Sequence, residues 1–238
     1  MSIVCVLTNK NIDKQISIVN KYKKHIYVYA IEIRVDTFYP KIEKIIHILE
    51  KIKKNLPEIK IILTFRKFSE GGKVRIAEDK RKEILIKILN EKHKLIDYID
   101  IEFNSKIKKD LLLAVKKYKK TLIVSSHFIK KQIGIKKFVK IIRLMDKFLK
   151  QNEQKGIIKI VIKSNNFKHY FKFLKEIHRL KLKNLTFFAT GKMSLLSRSI
   201  NVLLKMPLIY IAILKPVIST QPNIKDFTKT FKKIGIIK

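Results

Sequence analysis

Lys159 stands inside the run Ile157-Ile158-Lys159-Ile160-Val161, whose β-branched neighbours predict a strand and leave the lysine facing a costly dry interior. A neutral amine in such a place can attack a carbonyl and form an imine. The segment Ser125-Ser126-His127-Phe128 offers an imidazole, the side chain best suited to acid–base work near neutrality. In Glu32-Ile33-Arg34-Val35-Asp36 the three charged residues are two apart, so in an extended chain all point to one side. Thr64-Phe65-Arg66 runs into Lys67-Phe68-Ser69-Glu70-Gly71-Gly72, Asp100 and Glu102 share a face, and Gly191 precedes Ser197-Arg198. Arginine suits a carboxylate, because its planar fork donates two parallel hydrogen bonds. Taken singly, these residues have plainer readings. Glu32 with Arg34 reads as a structural ion pair, and His127 as a satisfied hydrogen-bonding histidine. Lys159 with Lys163, four residues on, reads as one surface-facing strand edge. Taken together, charged residues recur at the same end of successive strands, where packing alone favours apolar ones.

The elements that must position these residues alternate along the whole chain. Strands are predicted at Ile3–Leu7, Ile26–Arg34, Lys60–Phe65, Tyr98–Phe103, Thr121–Ser126, Ile157–Ile162, Asn184–Ala189 and Leu208–Leu214. Amphipathic helical patterns cover 11–22, 39–55, 77–93, 105–119, 135–152, 167–181, 194–205 and 224–235. In the second, Ile42, Ile45, Ile46, Leu49 and Ile52 form one stripe; in the fifth, Phe138, Ile141, Ile142, Met145, Phe148 and Leu149. Strand then helix, repeated without a long linker, implies parallel β/α units. An open doubly wound sheet would carry a glycine-rich first turn, but the first turn reads Thr8-Asn9-Lys10-Asn11. The expectation is a (β/α)8 TIM barrel, one catalytic domain over residues 1–238, with its chemistry at the C-terminal ends of the strands.

In chain order, these motifs are Glu-x-Arg-x-Asp, Thr-x-Arg-x-x-x-Glu-Gly-Gly, Asp-x-Glu, Ser-x-His, a strand lysine, Gly before Ser-Arg, and a late Gln-Pro. That series resembles the type I 3-dehydroquinate dehydratase family from Glu32 to about Asp226. The resemblance implies a cofactor-free, metal-free lyase of the shikimate pathway that turns 3-dehydroquinate into 3-dehydroshikimate, on the way to chorismate and the aromatic amino acids. It implies that Lys159 forms the imine, His127 is the general acid/base and Glu70 orients and tunes His127. Glu32, Arg34 and Arg66 would bind the ring hydroxyls, Arg198 the substrate carboxylate, and Gln221 would close over it from the last loop. The imine chemistry requires a neutral lysine, which burial and neighbouring arginines would favour. A homodimer is implied as well.

Two loops depart from the family pattern. Ser194 stands where a second glycine usually precedes Ser-Arg, and Val217-Ile218-Ser219-Thr220-Gln221 replaces Ser-Ala-Pro-Gly-Gln. A substrate-contacting serine thus becomes Val217, and Ser219 is the candidate to substitute for it.

The bulk composition points elsewhere at first. With 55 Lys+Arg against 19 Asp+Glu the formal charge is +36, which alone suggests a nucleic-acid or acidic-membrane partner. The lysines are spread over nearly every helical segment instead of forming a stripe or tail, so no specific nucleic-acid partner is expected. One cysteine, Cys5, excludes an internal disulfide and a cysteine-based zinc site. The longest uncharged apolar stretch, Met206 to Leu214, is about half a bilayer span, and no signal peptide is evident, so a cytoplasmic protein with no membrane partner is expected. Three other functions compete. A class I aldolase would share Lys159 but leave His127, Glu70 and Arg198 unexplained; a basic nucleic-acid-binding protein would localise its charge; and an inactive barrel would not need every one of these residues.

Overall fold

The computed structural model describes residues 2–130, 133–214 and 220–235. Strands β1 (Ile3–Leu7), β2 (Val28–Arg34), β3 (Lys60–Thr64), β4 (Tyr98–Glu102), β5 (Thr121–Phe128), β6 (Gly156–Lys163), β7 (Leu185–Thr190) and β8 (Ile209–Ala212) form one sheet. Between and after them lie α1 (Ile12–Tyr22), α2 (Glu43–Asn55), α3 (Glu78–Lys92), α4 (Lys108–Lys117), α5 (Ile135–Gln151), α6 (Phe167–Leu180), α7 (Ser194–Leu203) and α8 (Ile224–Lys233). Every ladder is parallel, β1 to β7 pair in sequence order, and β8 pairs with β1, leaving β7 and β8 without a ladder between them. The molecule is a (β/α)8 TIM barrel.

The barrel closes across β7 and β8 through side chains. The Leu208 backbone N–H donates to Thr186 Oγ1 at 3.0 Å. Arg198 donates to Ala189 O of β7 at 3.0 Å and to Tyr210 O of β8 at 2.5 Å.

One alternation explains where core ends and chemistry begins. Residues of one parity point outward and join the helices in the main core, as Ile3, Cys5, Leu7, Ile158, Ile160 and Ile162 do. Residues of the other parity point inward. Low in the barrel they are apolar: Val4, Ala30, Ile62, Ile123 and Leu208. Higher in the same registers come Glu32 above Ala30, Thr64 above Ile62 and Ser125 above Ile123. The stacked layers thus change from hydrocarbon to ionisable groups towards the C-terminal rim, where such barrels carry their sites. Cys5 faces the main core as a buried free thiol, and burial pushes its pKa up.

The elements fall where the patterns place them, with shifts at their ends. Helix α2 starts at Glu43 instead of Tyr39, because Pro40 disfavours a helical conformation at the preceding residue. Its buried stripe uses Ile48 beside Ile45, Leu49 and Ile52, while Ile46 is half-buried. Strand β5 runs on to Phe128, since β6 pairs with it as far as Phe128↔Ile162. Strand β8 stops at Ala212, whose N–H donates to Pro222 O as the chain enters α8. Asn223 caps α8 by accepting from Asp226 N at 2.9 Å, and Asn166 caps α6 in the same way from His169 N. Among the described residues, no helix is long and apolar enough to cross a membrane.

Candidate active site

Eight of the nine residues singled out in the sequence line one narrow cavity at the C-terminal mouth of the barrel: Glu32, Arg34, Arg66, Glu70, His127, Lys159, Arg198 and Gln221. Val6, Gly71, Val161, Phe188 and Tyr210 complete the walls. Ser219, like Val217, lies outside the described residues.

Lys159 is 3% exposed while Lys163, on the same face, is exposed at the strand's end, so β6 turns its lysine inward. The Nζ donates to Glu32 Oε1 at 3.1 Å and to Asp100 Oδ2 at 3.0 Å. It also sits 3.7 Å from the centre of the Tyr210 ring, which forms an apolar face beside the amine. Its hydrogen-bond partners are carboxylates, where the sequence suggested arginines. Arg66 stands behind one of them: its Nη2 is 2.8 Å from Asp100 Oδ1, the oxygen turned away from Lys159. Burial pushes the Asp100 carboxyl up, but Arg66 and Lys159 outweigh it and hold the group well below the usual carboxylate range.

Glu32 and Arg34 do not pair with each other. Glu32 accepts from Lys159 and from Thr64 Oγ1 at 2.9 Å. Arg34 forms a two-pronged pair with Asp36, Nε to Oδ1 at 2.9 Å and Nη2 to Oδ2 at 2.8 Å. The strand ends at Arg34, and a single helical turn, Val35–Thr37, brings the Asp36 carboxylate back over it. Asp36 also accepts from the backbone N–H groups of Arg66 and Lys73, tying the ends of β2 and β3 together. Beside the site, a wider cleft of about 1120 Å³ opens between the loops after β1, β2 and β8, with Asp36 in its wall.

The Glu70–His127 contact is built by the Glu-Gly-Gly turn. Glu70 ends a short helical turn, Phe68–Glu70, and Gly71 follows at φ +94°, a left-handed conformation that favours glycine. A Cβ on Gly72 would lie 2.1 Å from Arg66 O, so this backbone approach admits only glycine. The turn delivers Glu70 Oε2 to His127, where it accepts from the backbone N–H at 2.8 Å and lies 3.0 Å from Nδ1. Burial pushes the Glu70 carboxyl up to about 7, against the pull of Arg66. Burial also draws the His127 imidazole well below 6.5; Arg66 and Lys159 add to that and Asp100 opposes it. Burial and the neighbouring cations thus favour the neutral imidazole. With the Nδ1 proton directed at Glu70, Nε2 keeps a free lone pair for a substrate proton.

Arg198, 1% exposed on α7, donates to Tyr210 O, Ala189 O, Ser194 O and Ser194 Oγ, all neutral acceptors. Arg34 and Arg66 each have a carboxylate; Arg198 has none among the described residues. Burial draws its guanidinium below the ordinary arginine range, and an anion in the cavity would reverse that. Ser194, at the place where the family pattern has a second glycine, is thus a partner of Arg198. Thr220 Oγ1 accepts from Gly191 N at 3.0 Å and joins the last loop to this corner.

Sequence reasoning gave no site role to Asp100, Glu102, Ser125 or Tyr210. Ser125 Oγ donates to Asp100 Oδ1 at 2.6 Å and accepts from Arg66 Nη1 at 2.7 Å, while Glu102 Oε1 takes Arg66 Nη1 at 2.9 Å. The Asp-x-Glu at the end of β4 was the available signal, since two acids on an inward face need cations opposite them.

A family model described as type I 3-dehydroquinase matches residues 3–238. The 3-dehydroquinate dehydratase of Pyrococcus abyssi is 25% identical over 176 residues, covering 74% of this chain and 77% of the relative. The crystal structure of the 3-dehydroquinate dehydratase from Aquifex aeolicus superimposes with a TM-score of 0.79 at 22% identity, covering 98% of both chains. That of the enzyme from Geobacillus kaustophilus gives a TM-score of 0.81 at 17% identity, over 98% of this chain and 91% of its own. At those identities the structural likeness carries the fold.

Proposed function

This chain belongs to the type I 3-dehydroquinase family, and from that premise we propose that it dehydrates 3-dehydroquinate through an imine on Lys159. As a hydro-lyase of that family it takes its place in the shikimate pathway. The observation that carries the mechanism is the convergence on one cavity of a buried lysine, a histidine held by Glu70 and an arginine without a carboxylate partner among the described residues.

The Arg198 guanidinium receives the substrate carboxylate and gains the ionic partner it lacks. Glu32, Arg34 and Arg66 present hydrogen-bonding groups to the ring hydroxyls, and Gln221 covers the ring from the last loop. Before attack, Lys159 gives up a proton. Glu32 is the better acceptor, because Asp100 also carries Arg66 and Ser125. The neutral amine adds to the ketone, and the carbinolamine loses water to leave a protonated imine. That cation withdraws electrons from the adjacent carbon, and His127 Nε2 removes a proton there. The resulting enamine expels the hydroxyl one carbon further on, which leaves as water with the proton from the imidazolium. Hydrolysis of the conjugated imine frees 3-dehydroshikimate and restores Lys159. Glu70 stabilises the imidazolium between the two proton transfers. No step draws on a cofactor.

The protein acts in the cytoplasm as a homodimer, and the outer face of α7 is the contact surface its composition favours. Purified protein mixed with 3-dehydroquinate will develop the ultraviolet absorbance of the conjugated enone. No rise in absorbance at millimolar substrate and neutral pH would defeat the reading.

A further inference from the structure

The outer helix α3 buries one cation among its apolar residues. Arg81 is 2% exposed beside Ile84, Leu85, Ile88 and Leu89. Its Nη1 lies 2.9 Å from Glu102 Oε2, and its Nη2 donates to Ser105 Oγ at 2.7 Å. The contact with Glu102 is a charge contact without hydrogen-bond alignment, and Nε has no hydrogen-bond partner among the described residues. Glu78 Oε2 lies at 3.5 Å from Nη2, a longer and partly exposed contact, so the guanidinium has been taken out of water on the far side of Glu102 from the cavity, with its closest charge contact to Glu102. The other carboxylate oxygen, Oε1, faces the site and holds Arg66 Nη1 at 2.9 Å and the Lys67 N–H at 2.8 Å. Arg66 in turn holds Asp100, and Asp100 holds Lys159. From α3 to the reactive amine the charges alternate without a break: Arg81, Glu102, Arg66, Asp100, Lys159.

We propose that Arg81 is a positioning residue for the reaction: its charge fixes Glu102 from behind, so that Arg66 is held at the substrate and Asp100 at the amine. A buried carboxylate shared by two arginines is balanced; with Arg81 gone, Glu102 draws Arg66 towards itself and adds an uncompensated negative charge to the cavity wall. This inference rests on the dehydratase reading for its kinetics but not for its electrostatics.

Two measurements separate the two. In the first, the His127 imidazole is titrated by NMR in the wild type, Arg81→Met and Arg81→Lys. The groups acting on His127 are Glu70, Asp100, Arg66, Lys159 and Arg34, and all are unchanged in the variants. Arg81→Met will raise the His127 midpoint, because surplus negative charge favours the imidazolium; Arg81→Lys will return it towards the wild-type value. This readout needs no turnover. In the second, steady-state kinetics with 3-dehydroquinate will show kcat/KM lowered about 10-fold to 100-fold in Arg81→Met, mainly through KM as Arg66 shifts, with recovery in Arg81→Lys. Should Arg81→Met fail to fold, Arg81→Gln, which keeps a polar head group at Glu102 without the charge, takes its place with the same expected rise of the midpoint and loss of kcat/KM. A folded Arg81→Met or Arg81→Gln with the wild-type midpoint and KM would overturn the proposal. Absence of turnover in every variant, wild type included, with the NMR shift present, would defeat the dehydratase reading alone.

Discussion

Glu70 and His127 share one proton between an acid that burial has weakened and a base that burial has also weakened. Their titration is a property of the pair. Glu70 is raised from 4.5 to about 7, so its contribution to stability is full below 4.5 and is lost as pH climbs through about 7. His127 is lowered, so its contribution is full above 6.5 and is lost as pH falls through its depressed folded value. Activity follows the other logic. Below about pH 7 Glu70 takes up a proton and no longer supports an imidazolium, so kcat/KM falls there. In Glu70→Gln that limb will be gone, leaving a smaller activity, down on the order of 10²-fold, that declines only at the lower pH where His127 itself protonates. A pH–rate profile that keeps its limb near 7 in the variant would mean that another group sets it. At this scale the sequence revealed residue types and strand-end placement, but not pairing. Glu32 with Arg34 was the obvious pair by spacing; in the fold, Arg34 takes Asp36 two residues on, Arg66 takes Asp100 and Glu102 from β4, and Glu32 takes Lys159 from β6.

Among the elements, the loop between β3 and α3 carries the tightest constraint. It must place Arg66 and Glu70 at one cavity within a few residues, and it does so by folding Gly72 N back onto Lys67 O at 3.0 Å. Gly72→Ala drives a methyl group into Arg66 O, and the loop will open to relieve it. The expected loss is about 1–3 kcal/mol of stability, read as a lower Tm, with activity falling further than stability because both Arg66 and Glu70 move. Gly134→Ala, whose Cβ meets nothing within 4 Å, is the control that leaves activity in place. A Gly72→Ala enzyme with normal kcat/KM would show that the loop tolerates the displacement. The strands and helices were legible because period-two and period-3.6 patterns are written by burial itself. Their ends were less so: β5 is extended by its partner β6, and β8 is cut short by the incoming α8, both long-range effects.

For the whole molecule, the charge of +36 is informative where it is missing. Every helix carries lysines on its outer surface except α7, whose Ser194–Leu203 holds no lysine and no acid, and whose single arginine turns inward. Leu196 and Leu203 stand outside, 40% and 66% exposed, with Leu204 and Ile234 nearby in exposure. Two copies of so basic a chain repel each other least through a face whose helix carries no lysine, and this one is apolar besides. Docking there would also clamp the helix that carries Arg198. Sedimentation will show a dimer for the wild type, and Leu203→Asp will shift it to monomer without loss of helical circular dichroism. A wild type that sediments as a monomer across the micromolar range would refute the contact. The barrel itself was legible at this scale from eight strand–helix repeats. The lysine-free outer face of α7 was not, because the absence of lysines matters only once the helix's outer side is known.

The central claim is that Lys159 bonds to the substrate carbon. It is tested most directly by adding borohydride during turnover of 3-dehydroquinate, then measuring intact mass and mapping the modified peptide in the wild type and in Lys159→Ala. The account predicts one reduced adduct per chain, located on Lys159 and absent from the variant. An adduct on another lysine, or turnover by the wild type with no trapped species, would contradict it.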